Sequence, residues 1–127
     1  MGDFMHAVEL FHQLSNETRL RLIVLLLERE LCVCELEEIL DIRQVNISKH
    51  LNKLKVLNIV DVRREKQRGF YYLTDYFKQF PHLIDHLRAL VLKERQLQED
   101  LNKLNDHEQG KASKIYVCHM YKKEILS

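Results

Sequence analysis

The fold of this chain is decided by one stretch, ELCVCELEEILDIRQVNISKHLNKLK, which covers residues 30–55. Apolar residues recur at helical spacing over 33–40 and again over 44–57, and a break at 41–43 separates the two runs. A short helix, a tight turn and a second helix predict a helix-turn-helix. The inward positions are Leu36, Ile39, Leu40, Ile47, Leu51, Leu54 and Leu57, and the acids expected to face water are Glu35, Glu37 and Glu38.

The second helix of this unit carries a polar and basic outer face. Glutamine and asparagine pair with adenine, and lysine donates to guanine or to phosphate. For His50, a hydrogen bond within the fold is an equally good interpretation. The residues expected to contact DNA are Gln44, Val45, Asn46, Ser48, Lys49, His50 and Lys53.

A β-hairpin is predicted directly after the helix-turn-helix. Segments 59–65 and 70–74 are rich in β-branched and aromatic residues, and Gly69 is expected to supply the positive φ of the loop between them. Basic residues near its tip would make this hairpin a wing that meets the DNA backbone or minor groove. They are Arg63, Arg64, Lys66 and Arg68.

Two helices are predicted before this unit. Segment 3–14 is amphipathic, and 16–29 is apolar nearly all round, as in a buried central helix. Ser15 is expected to cap the second of them. The apolar face of the first is formed by Phe4, Val8, Phe11 and Leu14.

One long helix is predicted from Pro81 to about residue 104, with a seam of leucines at 3–4 spacing. We expect a second copy to cover this seam in a homodimer; packing within the same subunit is the alternative. Gly110 is expected to end the helical region. The chain would then comprise a DNA-binding and dimerisation domain at 1–109 and a tail at 110–127, either a short docking helix or mobile. The leucines of the seam are Leu83, Leu87, Leu90, Leu97, Leu101 and Leu104.

Together these elements predict a mainly α (α+β) winged helix-turn-helix in the order α-α-α-α-β-β-α. The chain has 127 residues and a net charge of +1, but residues 43–72 carry eight basic against two acidic residues, a footprint typical of phosphate binding. No apolar run is long enough to span a membrane and no signal-peptide core is seen, so we expect a cytoplasmic protein with reduced thiols. The sequence contains none of the short motifs typical of enzymes, so we do not expect an enzyme.

Cys32 and Cys34 offer soft thiolate ligands of the kind that As(III) and Sb(III) prefer. Residues two apart in a helix point to nearly opposite sides, so we expect the first helical turn to unwind when both sulfurs bind one ion. Ligand binding would then disfavour the DNA-binding shape. Cys118 is a candidate third ligand, and a buried core residue is the equal alternative.

The sequence resembles the ArsR/SmtB family of metal-sensing transcriptional repressors over roughly residues 4–105. The resemblance is carried by SNETRLRLIVLL (15–26), ELCVCEL (30–36), QVNISKHLNKL (44–54) and RGFYYL (68–73). It implies a winged-helix dimer that represses an arsenic-resistance operon and leaves DNA on binding As(III) or Sb(III). DNA binding itself needs no cofactor, and the operator would be an imperfect inverted repeat.

The chain departs from this family's pattern at two places. The arsenical repressors that it resembles carry a third cysteine where Glu37 stands here, and the zinc site on the last helix has a histidine where Leu87 stands. A repressor of the same fold that senses thiol oxidation or persulfides, with Cys118 as the resolving partner, is the alternative function.

Overall fold

The computed structural model describes the backbone of residues 2–113 and the side chains of residues 6–110. The predicted winged helix-turn-helix is confirmed, with a short strand and a short helix added and the last helix divided in two. The elements are α1 (Gly2–Leu14), α2 (Glu17–Glu28), β1 (Leu31–Cys32), α3 (Val33–Leu40), α4 (Gln44–Val56), β2 (Val60–Glu65), β3 (Arg68–Leu73), α5 (Asp75–Lys78), α6 (Pro81–Val91) and α7 (Arg95–Ser113).

The core surrounds α2, whose residues from Leu22 to Leu26 are all buried. The helix-turn-helix packs on it through the predicted inward positions of α3 and α4, since Leu36, Ile47 and Leu51 have no exposed surface. Burying one such leucine contributes about 1.5–3 kcal/mol relative to exposure. The hydrophobic spacing therefore fixes how the recognition helix α4 lies on the rest of the molecule.

The ends of these helices are set by local polar groups. Asn16, and not the predicted Ser15, caps α2, because its Oδ1 accepts the backbone N–H of Arg19 at 3.0 Å. Ser15 instead donates its hydroxyl to the carbonyl of His12 at 2.6 Å. Asp41 ends α3 with a left-handed φ of 55°, which makes the tight turn to α4.

The three strands form an antiparallel sheet in the order β1-β3-β2, with Cys32 opposite Phe70. The wing turn consists of Lys66 and Gln67, because Glu65 pairs directly with Arg68. The prediction that Gly69 supplies a positive φ is wrong; Lys66 has that conformation, at 57°. Gly69 lies within β3, where a Cβ atom would come 2.8 Å from Nη1 of Arg64.

The predicted single helix from Pro81 to residue 104 is also wrong, because the chain leaves the helix at 92–94, between α6 and α7. The seam leucines face the core of their own subunit: Leu87, Leu97 and Leu104 are each 3% exposed. The alternative of packing within the subunit is therefore correct, and the seam gives no argument for a dimer. Gly110 lies inside α7 and does not end it.

A buried ion pair joins α7 to α2. The guanidinium of Arg21 donates to both carboxylate oxygens of Asp100, at 2.8 and 2.9 Å, and the Asp100 side chain has no exposed surface. This bidentate contact, which raises the pKa of Arg21, fixes the register of the last helix.

The apolar face predicted for α1 remains on the surface of the chain. Val8 is 50% and Phe11 61% exposed, whereas the neighbouring Leu10 is buried. The side chain of Phe4 lies outside the described residues. Among the described residues, no helix combines the length and the apolar character needed to cross a membrane.

Candidate DNA-binding surface and thiol site

The recognition helix α4 presents most of the predicted DNA contacts to solvent. The exposed residues are Gln44, Val45, Asn46, Lys49 and Lys53. Val45 is an apolar side chain left 70% exposed, and an apolar group at this place suits the methyl of thymine. Ser48 and His50 are half-buried and lie at the edges of this face.

His50 belongs to the fold rather than to the outer face. Its Nδ1 accepts a hydrogen bond from Nη1 of Arg19 at 3.1 Å. Arg19 is buried and also donates its Nε–H to the carbonyl of Gln13 at 2.7 Å. A single guanidinium on α2 therefore contacts both α1 and α4.

The pKa of His50 lies below its usual 6.5, first because burial disfavours the charged ring and then because Arg19 and two lysines repel a proton. The unfolded chain binds a proton at His50 more readily than the folded chain does. The free energy of unfolding therefore falls as the pH drops below about 6.5. We expect the free energy of unfolding to decline with acidification more in the wild type than in His50→Gln. Urea denaturation at pH values on both sides of 6.5 measures the difference, and equal declines would contradict it.

Two of the four basic residues of the wing, Arg64 and Lys66, lie at the surface with no salt bridge to a carboxylate of the described part of the chain. Arg63 is exposed but paired, since it donates to Glu30 at 3.0 Å and to Glu65 at 2.8 Å. These contacts raise the pKa of Arg63 and lower that of Glu65. A contact of Arg63 with a phosphate would require the exchange of these partners.

Arg68 is the predicted DNA contact that the structure turns inward. Its Nη2 donates to Sγ of Cys32 at 3.0 Å and lies 3.9 Å from Oε1 of Glu35. Its guanidinium also lies over the ring of Phe70, 5.0 Å from the centroid. The first residue of β3 therefore ties the wing to the thiol site.

The two cysteines stand at the junction of β1 and α3. Cys32 ends β1 in an extended conformation and is the N-cap of α3, whereas Cys34 lies in the first turn of that helix. Both are 2% exposed and they form one cluster with Phe70. The prediction that helical geometry sets their side chains on opposite sides is wrong, because Cys32 is not in the helix. Unwinding of α3 is not required on that ground.

The two cysteines differ in their bonding. Cys32 is a free thiol, whereas Cys34 is disulfide-bonded in this structure. Cys118, the candidate third ligand, lies outside the described residues.

Glu35 was expected to face water, and this prediction is wrong, because its side chain is fully buried. Oε1 accepts the backbone N–H of Cys32 at 3.2 Å, which satisfies a donor at the start of α3. Oε2 forms a hydrogen bond with Nε2 of His107 on α7, at 3.0 Å. A glutamate three residues after a helix N-cap is a sequence signal for this role, whereas nothing local signals the buried Arg19.

A cavity of about 170 Å³ lies between the thiols and the DNA-binding elements. The cysteines form one wall, and Gln44 and Ser48 from the first turns of α4 form another. The wing completes it. Its lining residues are Cys32, Val33, Cys34, Gln44, Ser48, Arg64, Gly69 and Tyr71. A ligand held by the thiols would therefore touch the recognition helix directly.

This architecture and its sequence are similar to those of known regulatory proteins. Residues 16–62 match the model of the arsR family of bacterial regulatory proteins. An HTH-type transcriptional regulator of Methanocaldococcus jannaschii, MJ1325, is 38% identical over 89 residues, which cover 68% of this chain and 100% of that protein. The arsenic resistance transcriptional regulator ArsR1 of Pseudomonas putida is 42% identical over 64 residues, 50% of each chain.

A solved structure supports the same fold. The homodimeric winged helix-turn-helix DNA-binding domain Mb0332 of Mycobacterium bovis has a TM-score of 0.61 at 22% identity, over 71% of this chain and 84% of that one. The helix-turn-helix, the wing and the match to the whole length of MJ1325 all indicate the same family. This chain belongs to the arsR family of DNA-binding transcriptional regulators, which are not enzymes.

Proposed function

We propose that this chain is a homodimeric repressor of an arsenic-resistance operon that leaves its operator when As(III) or Sb(III) binds the thiolates of Cys32 and Cys34. The observation that carries the proposal is the cavity shared by both cysteines and the first turns of α4. Titration of arsenite into the reduced protein on operator DNA tests it, because retention on DNA would refute it. As a bacterial-type regulator of transcription, it would act in the cytoplasm.

The chemistry of the cavity supports a soft ion. Two sulfurs lie in one cluster, and thiolates select thiophilic ions over hard ones. As(III) usually takes a third ligand, for which Cys118 is the candidate. Cys34 must first be reduced, because a disulfide sulfur offers no thiolate.

The route from ion to DNA runs across the cavity. A ligand at the sulfurs occupies space that Gln44 and Ser48 share, so α4 must shift relative to α3. A sulfur that is bound to a cation is also a weaker acceptor for Arg68, which frees the first residue of β3. Both changes disfavour the arrangement of helix and wing that fits the operator.

A second copy of the chain is the partner proposed for the exposed face of α1. Val8 and Phe11 are large apolar side chains left on the surface, and Phe11 borders an apolar cavity of about 680 Å³ that reaches Tyr76 and Phe80. The Mycobacterium bovis structure with this fold is a homodimer. Two-fold pairing would present two recognition helices to an imperfect inverted repeat.

Operator affinity should fall steeply as salt rises, because Lys49, Lys53 and the wing would displace counterions from phosphates. For Lys53→Gln, the slope of log affinity against log salt should shrink by about one, since the substitution removes one charge that faces a phosphate. Fluorescence anisotropy with an operator duplex at several salt concentrations measures both slopes. Lys103→Gln, an exposed lysine of α7, is the matched control. A wild-type slope near zero would contradict the assignment.

A thiol-oxidation sensor of the same fold is the second candidate, and the cluster formed by Cys32 and Cys34 supports it. Oxidation would then change DNA affinity without any metalloid. Mild oxidation followed by mass spectrometry and an operator-binding assay separates the two functions. An oxidant-induced release that Cys34→Ser abolishes, together with no response to arsenite, would favour this candidate.

A further inference from the structure

A second group of ligand atoms lies where α7 packs on α3, away from the cavity at the cysteines. Side chains of Glu35, His107 and Glu108 bring one ligand atom each within 4.8 Å of one another. We propose that this group binds a divalent transition-metal ion such as Zn²⁺, at a site distinct from the thiols. The ion would bridge the helix-turn-helix and the last helix.

The donor set determines which ion suits the site. One imidazole nitrogen and two carboxylate oxygens are borderline and hard ligands, which suit Zn²⁺, Co²⁺ or Ni²⁺ rather than As(III). Three protein ligands leave a fourth position for water. The site is therefore of a different chemical class from the cysteine pair.

The distances are close to those of a tetrahedral site. Ligand bonds of about 2.1 Å place two ligand atoms roughly 3.4 Å apart. Nε2 of His107 and Oε2 of Glu35 are already 3.0 Å apart, and both side chains are at most 5% exposed. The ion would replace a proton between them, and Glu108 needs to approach by no more than about 1.4 Å, given the 4.8 Å limit.

A second carboxylate lies beside the other nitrogen of the imidazole. Nδ1 of His107 lies 3.5 Å from Oε2 of Glu38, one turn further along α3. When Nδ1 carries the proton and Glu38 accepts it, Nε2 is left with the lone pair that a metal requires. A carboxylate behind a ligating histidine is the usual partner in metal sites, and here it comes from the same helix as Glu35.

Among the described residues, Arg29 and Arg68 are cations that lie beside these ligand atoms. Arg29 pairs with Glu108, but its side chain is 43% exposed, so this ion pair is weakened by solvent and is easily exchanged. Arg68 is on the side of Oε1 of Glu35, 3.9 Å away, while the ion would take Oε2. The second oxygen of Glu35 can thus bind metal while the first still caps Cys32.

Metal binding should be measured in the full-length chain with Cys32, Cys34 and Cys118 replaced by serine, so that thiols cannot contribute. We expect one Co²⁺ or Zn²⁺ per chain, with a Co²⁺ spectrum that lacks sulfur charge-transfer bands. His107→Gln and Glu108→Gln should weaken binding by roughly 100-fold or more, and Glu38→Gln by about 10-fold, as is usual for an outer partner. Glutamine has the shape of glutamate and nearly the volume of histidine, and urea denaturation of each variant checks that the fold is preserved.

His86→Gln, at an exposed histidine of α6, is the matched control and should leave metal affinity unchanged. Equal affinity of His107→Gln and the parent would overturn the proposal, as would binding that vanishes when the cysteines are removed. An arsenite response that is lost while Zn²⁺ binding persists would refute the thiol function alone, because the two sites share no metal ligand.

Discussion

Arsenite should lower the operator affinity of the fully reduced wild-type protein by about 100-fold, which corresponds to about 2.7 kcal/mol. A coupling of this size lies within the range of about 1–3 kcal/mol that is typical of allosteric proteins. The operator affinity of Cys32→Ser and of Cys34→Ser should not change on addition of arsenite. A single thiolate binds the ion too weakly, so the cavity remains without a ligand. Anisotropy of a labelled operator during arsenite titration measures the change.

The control for these variants is Lys103→Gln, at an exposed position of α7 that does not line the cavity at the cysteines. Its response should equal that of the wild type. Cys118→Ser decides the third ligand, since a lost response assigns Cys118 to the site and a retained one excludes it. If both single variants left the operator at the arsenite concentrations that release the wild type, the cysteine pair would not be the inducer site.

Asp100→Asn should destabilise the fold by about 3 kcal/mol, the lower end of the range for breaking a buried ion pair. The substitution keeps the size of the side chain but leaves the guanidinium of Arg21, which is 13% exposed, without a full counter-charge. It also weakens the contact from Gln96 to Oδ1, which is 3.0 Å long. Urea denaturation measures the loss as a lower midpoint at unchanged slope.

Asp106→Asn is the control for this change, because Asp106 lies on the same helix and is exposed. Its free energy of unfolding should stay within about 0.5 kcal/mol of the wild type. A destabilisation below about 1 kcal/mol for Asp100→Asn would contradict this account, because a buried guanidinium without its counter-charge should cost more than that.

Hydrophobic periodicity predicted the helix-turn-helix well, because burial is what the spacing of apolar residues encodes. Predicted segments 33–40 and 44–57 agree with α3 and α4 to within one residue. The same method could not assign a partner to the leucine seam. Whether Leu97 faces its own core or a second copy depends on the break at 92–94, where the leucine spacing alone carries no signal.

The polar part of the site was harder to predict, because a charged residue has no periodic signature that distinguishes burial from exposure. Helical spacing predicts that Glu35 faces solvent, yet a backbone N–H, an imidazole and a guanidinium make its burial favourable. The backbone N–H is a local partner, but the guanidinium comes from β3 and the imidazole from α7, 72 positions away in the chain. Only the folded chain brings them together.

Arg19 joins the surface proposed for subunit pairing to the surface proposed for DNA. Its guanidinium holds the carbonyl of Gln13 near the end of α1 and the imidazole of His50 in the middle of α4. In the proposed dimer, a tilt of the first helix imposed by the second protomer would reach the recognition helix through this one planar group. The distance between the two half-sites that a dimer can span would then be set in part by this arginine, far from any base.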